Sequence, residues 1–199
     1  MLTKKRLPLL IAFIFVLEVV IYLWAVWVTE PEFVINKCAR NAGRASEALN
    51  LAILMMVGYY GLKQIYADDK KKDTFIILMT LFAVNHLIHF FFVYQNFKKH
   101  EMVLDISDNK HGFVTFIFIV LMTLALWIFK NLNKIFYITI LIHLFNVSYF
   151  IMDTLNNKIK PDIITFHYKF GIVITSSALL YILYRIFREN KKVNRLTSQ

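Results

Sequence analysis

The chain carries six apolar blocks, each near the roughly 20 residues that an α-helix needs to cross hydrocarbon. They run over 7–28, 46–66, 75–97, 113–129, 135–152 and 163–187. Within a bilayer a segment must satisfy its own backbone N–H and C=O groups, so runs of this length are read as helices. Hydrophobic residues make up 58% of the chain, against about 45–50% in a soluble domain. The mean hydropathy is +0.55. Little remains between the blocks. The expected fold class is all-α: a polytopic integral membrane protein, a six-helix transmembrane bundle in a single domain, with a basic cytoplasmic tail over 188–199.

A net charge of +10 suits a nucleic-acid partner only if it is gathered on one surface. Here its placement follows the blocks. With both termini cytoplasmic, fourteen lysines and arginines fall inside and eight outside, and Lys169 lies within the last block. That is the positive-inside pattern with an even number of crossings. Direct nucleic-acid binding is therefore not expected. The lipid bilayer is the expected partner, together with a homo-oligomer or a cytoplasmic protein engaged through Arg185, Arg188, Lys191, Lys192 and Arg195. Trp24 and Trp27 on the outer side, and Tyr66 and Trp127 on the inner side, suit the aromatic belts of a bilayer. The first block follows Lys4-Lys5-Arg6 as in a signal peptide. Its length, and the lack of a small-x-small site after Val28, favour a retained helix. Cys38 is the only cysteine, so no internal disulfide forms. Abundant Lys, Ile, Asn and Phe suggest an AT-rich bacterial genome, and hence a bacterial inner membrane.

External loops are expected over 29–44, 98–112 and 153–162. The first is expected to turn at Pro31 and at Asn41-Ala42-Gly43. The second carries Asp105, Asp108 and Asn109, with His100 and His111 solvated. Pro161 suits the first turn of the last helix. The inner links are Asp68-Asp69-Lys70-Lys71-Lys72-Asp73 and 130–134, short enough to make consecutive helices antiparallel neighbours. Ser176 and Ser177 are expected to bond back to the preceding turn.

Polar residues inside the blocks carry the functional signal. The third block holds Asn85-His86-Leu87-Ile88-His89, and the fifth holds His143-Leu144-Phe145-Asn146. The first, third and fifth blocks run in one direction, so Glu18, His86 and His143 fall at one depth. His89 and Asn146 come three residues further out, a spacing that places each pair on one helix face. Asn50 and His167 belong to the outer half as well. A polar column open to the outside is expected, with Glu18, His86 and His143 at its base.

Three readings of that column stand side by side. Asn and His hydrogen-bond across helices and fix their packing. Two histidines and a carboxylate (His86, His143 and Glu18) are also a ligand set for a first-row metal, and histidines on facing helices can hold a haem iron. Glu18 and the histidines could equally titrate along an ion or proton path. No Cys-x-x-Cys, glycine-rich phosphate loop or nucleophile elbow occurs, and no catalytic residue is assigned.

The order of features resembles the ferric-reductase-like transmembrane family, in its haem-binding membrane-subunit form. Gly43-Arg44 is similar to the Gly-Arg opening of that family's second helix. The stretch from Phe82 to Tyr94, with His86 and His89, is similar to its histidine-bearing third helix. Leu132-Asn133-Lys134-Ile135-Phe136-Tyr137 is similar to its Leu-His-Arg-x-x-Tyr start of the fifth helix, and Tyr184-Arg185 to its exit from the sixth. The resemblance implies a six-helix core and electron transfer through b-type haem. Asn133 and Asn146 stand where the family has histidine. The implied set is therefore one haem held by His86 or His89 with His143. In size and multispanning build the chain also resembles small accessory membrane proteins encoded beside RNA-targeting CRISPR effectors. That likeness implies a non-enzymatic regulatory or pore-forming role in antiviral defence.

Overall fold

A computed structural model describes residues 2–101, 110–131, 133–157 and 166–197; of 110, 111, 133, 167 and 189–197 it describes the backbone alone. A 3₁₀ turn at Lys4–Arg6 leads into α1 (Leu7–Val28). The remaining helices are α2 (Val34–Tyr60), α3 (Leu62–Ala67), α4 (Asp69–Lys99), α5 (Lys110–Ile128), α6 (Asn133–Asn157) and α7 (Phe166–Thr197). No strand occurs among the described residues. Among the described residues four segments are long and apolar enough to cross a membrane: Lys4–Val28, Asp69–Lys99, Lys134–Asn157 and Tyr168–Arg188. Gly112–Ile128 is a shorter apolar helix.

The first block coincides with α1; the second does not coincide with α2. This helix starts at Val34, three turns ahead of the expected 46, and takes up most of the expected loop over 29–44. Val34, Cys38, Ala42, Ser46 and Asn50 recur every fourth residue and are all buried. Arg40 and Arg44 stay exposed on the other side. A stripe of this kind specifies an amphipathic helix even where mean hydropathy is low. Asn41-Ala42-Gly43 is therefore helical, not a turn. The second block also breaks within, at Gly61. Its φ of 79° and ψ of 150° suit glycine, which has no Cβ to clash.

Asp68 restarts the chain by accepting from the backbone N–H groups of Lys70 and Lys71, an N-cap for α4. The bond from Lys71 holds its carboxyl below the usual aspartate range. α2 packs most extensively on α4, and the small residues Ala39, Ala42, Gly43 and Ser46 allow that close approach. α1 packs on α2 and α4, α5 on α4 and α6, and α7 on α6 and α2. The ring therefore closes as α1, α2, α7, α6, α5, α4. Its core joins Ile53 and Val57 of α2, Ile65 of α3, and Phe75, Met79 and Phe82 of α4 to Leu126 of α5, Phe136 and Leu144 of α6, and Ile182 of α7.

One end of the bundle gathers the links. Lys130 Nζ lies 2.7 Å from Asp73 Oδ1, and Lys4 Nζ lies 3.6 Å from the same atom. Trp127 Nε1–H donates to Thr80 Oγ1 at 3.0 Å. Arg185, expected to be a docking residue, donates to the carbonyl oxygens of Gly58, Tyr59 and Tyr60 at the end of α2. Lys191, Lys192 and Arg195 of the same expectation lie outside the described side chains. Ser176 does not bond back along α7; its hydroxyl donates to Met152 Sδ of α6 at 3.1 Å. At the opposite end Lys99 Nζ donates to the carbonyl oxygens of Pro31 and Glu32.

The hydrogen bond to Asp73 raises Lys130 above its ordinary 10.5. A cation raised by folding stabilises the fold below its unfolded value, and that contribution is lost as pH climbs through the folded value. The thermal midpoint in detergent should carry a Lys130-dependent fall above about pH 10.5. Lys130→Met should remove that step; an unchanged alkaline profile in the variant would contradict the pairing.

Candidate functional site

A cavity of about 300 Å³ opens in the half of the bundle away from Lys130 and Asp73. α2 supplies Ala39, Arg40, Gly43, Arg44, Ser46 and Glu47. α4 supplies Phe82, His86 and His89, and α5 supplies Ile119. α6 supplies Val147, Phe150, Ile151, Thr154 and Leu155, and α7 supplies Tyr168. In the opposite half Phe75, Phe136, Ile65 and Leu126 pack together in the core.

The α2–α4 seam fixes the histidine wall. His89 Nδ1 lies 2.8 Å from the carbonyl oxygen of Ala39. A carbonyl only accepts, so Nδ1 carries the proton. Gly43 makes this possible: a Cβ there would stand 3.2 Å from Cε1 of His89, and the imidazole would have to give way. One turn along, Asn85 Nδ2 donates to Ala42 O at 3.0 Å and to Ser46 Oγ at 2.8 Å. The ring of His86 lies 5.4 Å from that of His89, and Phe82 and Phe116 flank it at 5.7 and 6.3 Å. Its Nδ1 is buried and has no hydrogen-bond partner among the described residues. The rim differs in character. Arg40 and Arg44 are exposed, and each also bonds a neighbouring asparagine of α2, Asn36 and Asn41.

The expected column therefore divides. His86 and His89 share one wall. His143 is fully buried, and Phe82 and Phe118 face its ring at 5.9 and 6.5 Å. It lies off the cavity wall, and both its nitrogens are without hydrogen-bond partners among the described residues. Asn146 is exposed on the outer side of α6. A step of three residues turns a helix by about 300°, and here it carries position 146 out of the interior. Val147, four residues on from His143, takes the cavity-facing place. Asn50 is buried beneath Ser46, and among the described residues neither polar atom of its amide has a partner. The side chain of His167 lies outside the described residues, as do His111, Asn133, Pro161, Asp105, Asp108 and Asn109.

Glu18 does not join the histidines. It faces Leu87, Ile88 and Phe91, on the side of α4 opposite His86 and His89. Equal depth left the rotation of each helix about its own axis unspecified. Among the described residues no three His, Cys, Asp or Glu side chains gather closely enough to hold a metal ion, so Glu18, His86 and His143 do not form the expected ligand set. His86 and His89 lie on one face and cannot grip an iron from opposite sides. His143 stands apart from them, with the rings of Phe82 and Phe118 against its own.

Arg40, Arg44, Glu47 and Tyr168 were not expected in the site. The first two fell in a stretch read as loop. Their spacing of four, with Glu47 three further on, is the signal that would have placed them on one helical face. No family model matches the chain, and no curated protein or solved structure matches it either.

Proposed function

We propose that the protein crosses a bacterial inner membrane six times, with both termini in the cytoplasm, and binds an amphipathic anion in the cavity of its outer half. The topology rests on the meeting of Lys4, Asp73 and Lys130 at one end of the bundle, with Lys99 and Pro31 at the other. It rests also on the excess of basic residues at the first of these ends. α2 and α5 then complete the six crossings.

The binding reading is carried by one observation: two guanidinium groups stand at the rim of a cavity floored by Phe82, Ile119 and Val147. Arginine's planar fork matches carboxylate and phosphate oxygens. The apolar floor excludes water and suits a hydrocarbon body, while His86 and His89 offer hydrogen-bonding edges on the side wall. A volume near the lower end of the roughly 300–1,000 Å³ of small-molecule sites limits the buried part to a short chain or a single ring.

Titration of the full chain in nanodiscs with decanoate and with decyl phosphate tests the reading and separates the two head groups. Saturable binding is expected. Arg40→Ala with Arg44→Ala should weaken it about a hundredfold, at about 1.5 kcal/mol for each charge-assisted bond. Both side chains are exposed, so the double variant should keep its fold. Equal affinity in wild type and double variant would overturn the proposal. The electron-transfer reading would return if the protein, purified with haem supplied, showed a Soret band that His143→Ala abolished.

A further inference from the structure

A second concavity, of about 430 Å³, lies between α1 and α4 on the other side of α4 from the histidines. Its walls are apolar and largely aromatic: Phe15 and Tyr22 of α1, and Phe91 and Phe92 of α4. Phe15, Tyr22 and Phe91 are between 42% and 54% exposed, so the groove opens on the outside of the bundle. The exception to its apolar lining is Glu18. This residue is 4% exposed, and neither of its carboxyl oxygens has a hydrogen-bond partner among the described residues.

A carboxylate in such surroundings is costly unless a counter-charge meets it, and within a membrane span it is a functional site by default. The surroundings restrict what that counter-charge can be. A small inorganic cation needs a shell of several oxygen ligands, and the groove offers hydrocarbon and ring faces instead. An organic cation loses little on leaving water, and ring faces attract it through their quadrupoles. Charge from the carboxylate, a cationic preference from the rings and an apolar bed thus specify one ligand class.

The geometry points to a binding site for a hydrophobic organic cation, with the Glu18 carboxylate as counter-ion and Phe15, Tyr22, Phe91 and Phe92 as its aromatic wall. The site is separate from the anion cavity, shares no residue with it, and stands whether or not that cavity binds as proposed.

Equilibrium dialysis of tetraphenylphosphonium against the full chain in nanodiscs tests it, with tetraphenylborate as the anion of the same shape. Saturable binding of the cation is expected, at least tenfold tighter than that of the anion. Glu18→Gln should weaken cation binding at least tenfold, and Phe91→Ala several-fold. Equal saturable binding of both ions above that of protein-free nanodiscs, or an unchanged affinity in Glu18→Gln, would overturn the assignment. Should Glu18→Gln fail to fold, Phe91→Ala and the preference for cation over anion decide, because Phe91 is half exposed and its truncation leaves the helix packing in place. Unchanged affinity in Phe91→Ala, with no preference for the cation, would then refute the site.

Discussion

Phe82→Ala is expected to destabilise the bundle by about 2–3 kcal/mol, taking about 24 cal/mol per Å³ for the roughly 100 Å³ of ring removed. Phe82 is 1% exposed and belongs to the main core. In a membrane the unfolded reference leaves the ring in lipid, so lost packing rather than water transfer sets the size of the effect. The substitution has a second consequence. Phe82 floors the cavity and touches the rings of both His86 and His143, so its removal should join the cavity to His143. Unfolding in mixed micelles measures the first effect. The reactivity of His143 toward diethyl pyrocarbonate, negligible in the wild type and measurable in the variant, measures the second. A variant as stable as wild type, with His143 still protected, would mean that the core refills the space.

Arg185→Ala should cost about 2 kcal/mol, in line with about 1.5–3 kcal/mol for hydrogen bonds to a charged group. The last carbonyls of a helix lack partners within it and carry partial negative charge. At the end of α2 the break at Gly61 sharpens this need, and a cation from α7 meets it at Gly58, Tyr59 and Tyr60. Arg185→Lys should recover only part of the loss, because an ammonium lacks the fork that spans several acceptors. The same unfolding assay checks this. An alanine variant with wild-type stability would show that water caps α2 equally well.

How far the sequence foretold the molecule depended on which property was read. Length and apolarity located α1 to the residue, and α4, α5 and α6 to within about six residues at their described ends, while α7 runs ten residues past the expected 187. They failed on α2, where Arg40, Asn41 and Arg44 lower the average and conceal a buried stripe at every fourth position. In a helix bundle the period can be informative where the mean is not. Level along the bundle was legible too, since Glu18 sits beside Leu87 and Ile88, and Phe82 meets the rings of both His86 and His143. Direction was not, because nothing in one helix alone says which neighbour it will face. His86 therefore joined His89 and the arginines, His143 was enclosed by phenylalanines, Asn146 turned outward, and Glu18 went to a groove of its own. The Asn85 amide succeeded where larger expectations failed, as a plain interhelical bond to α2.

Cys38 gives the bundle a reporter of its own. It is the only thiol in the chain, and it is wholly enclosed, packed with Ala25, Val34 and Phe92. A maleimide can reach it only while the packing of α1, α2 and α4 around it is parted. The rate of alkylation therefore reports the population of that open state when reclosing outpaces the reagent, and the opening rate when it does not, in an unaltered protein, at the seam that borders the Glu18 groove.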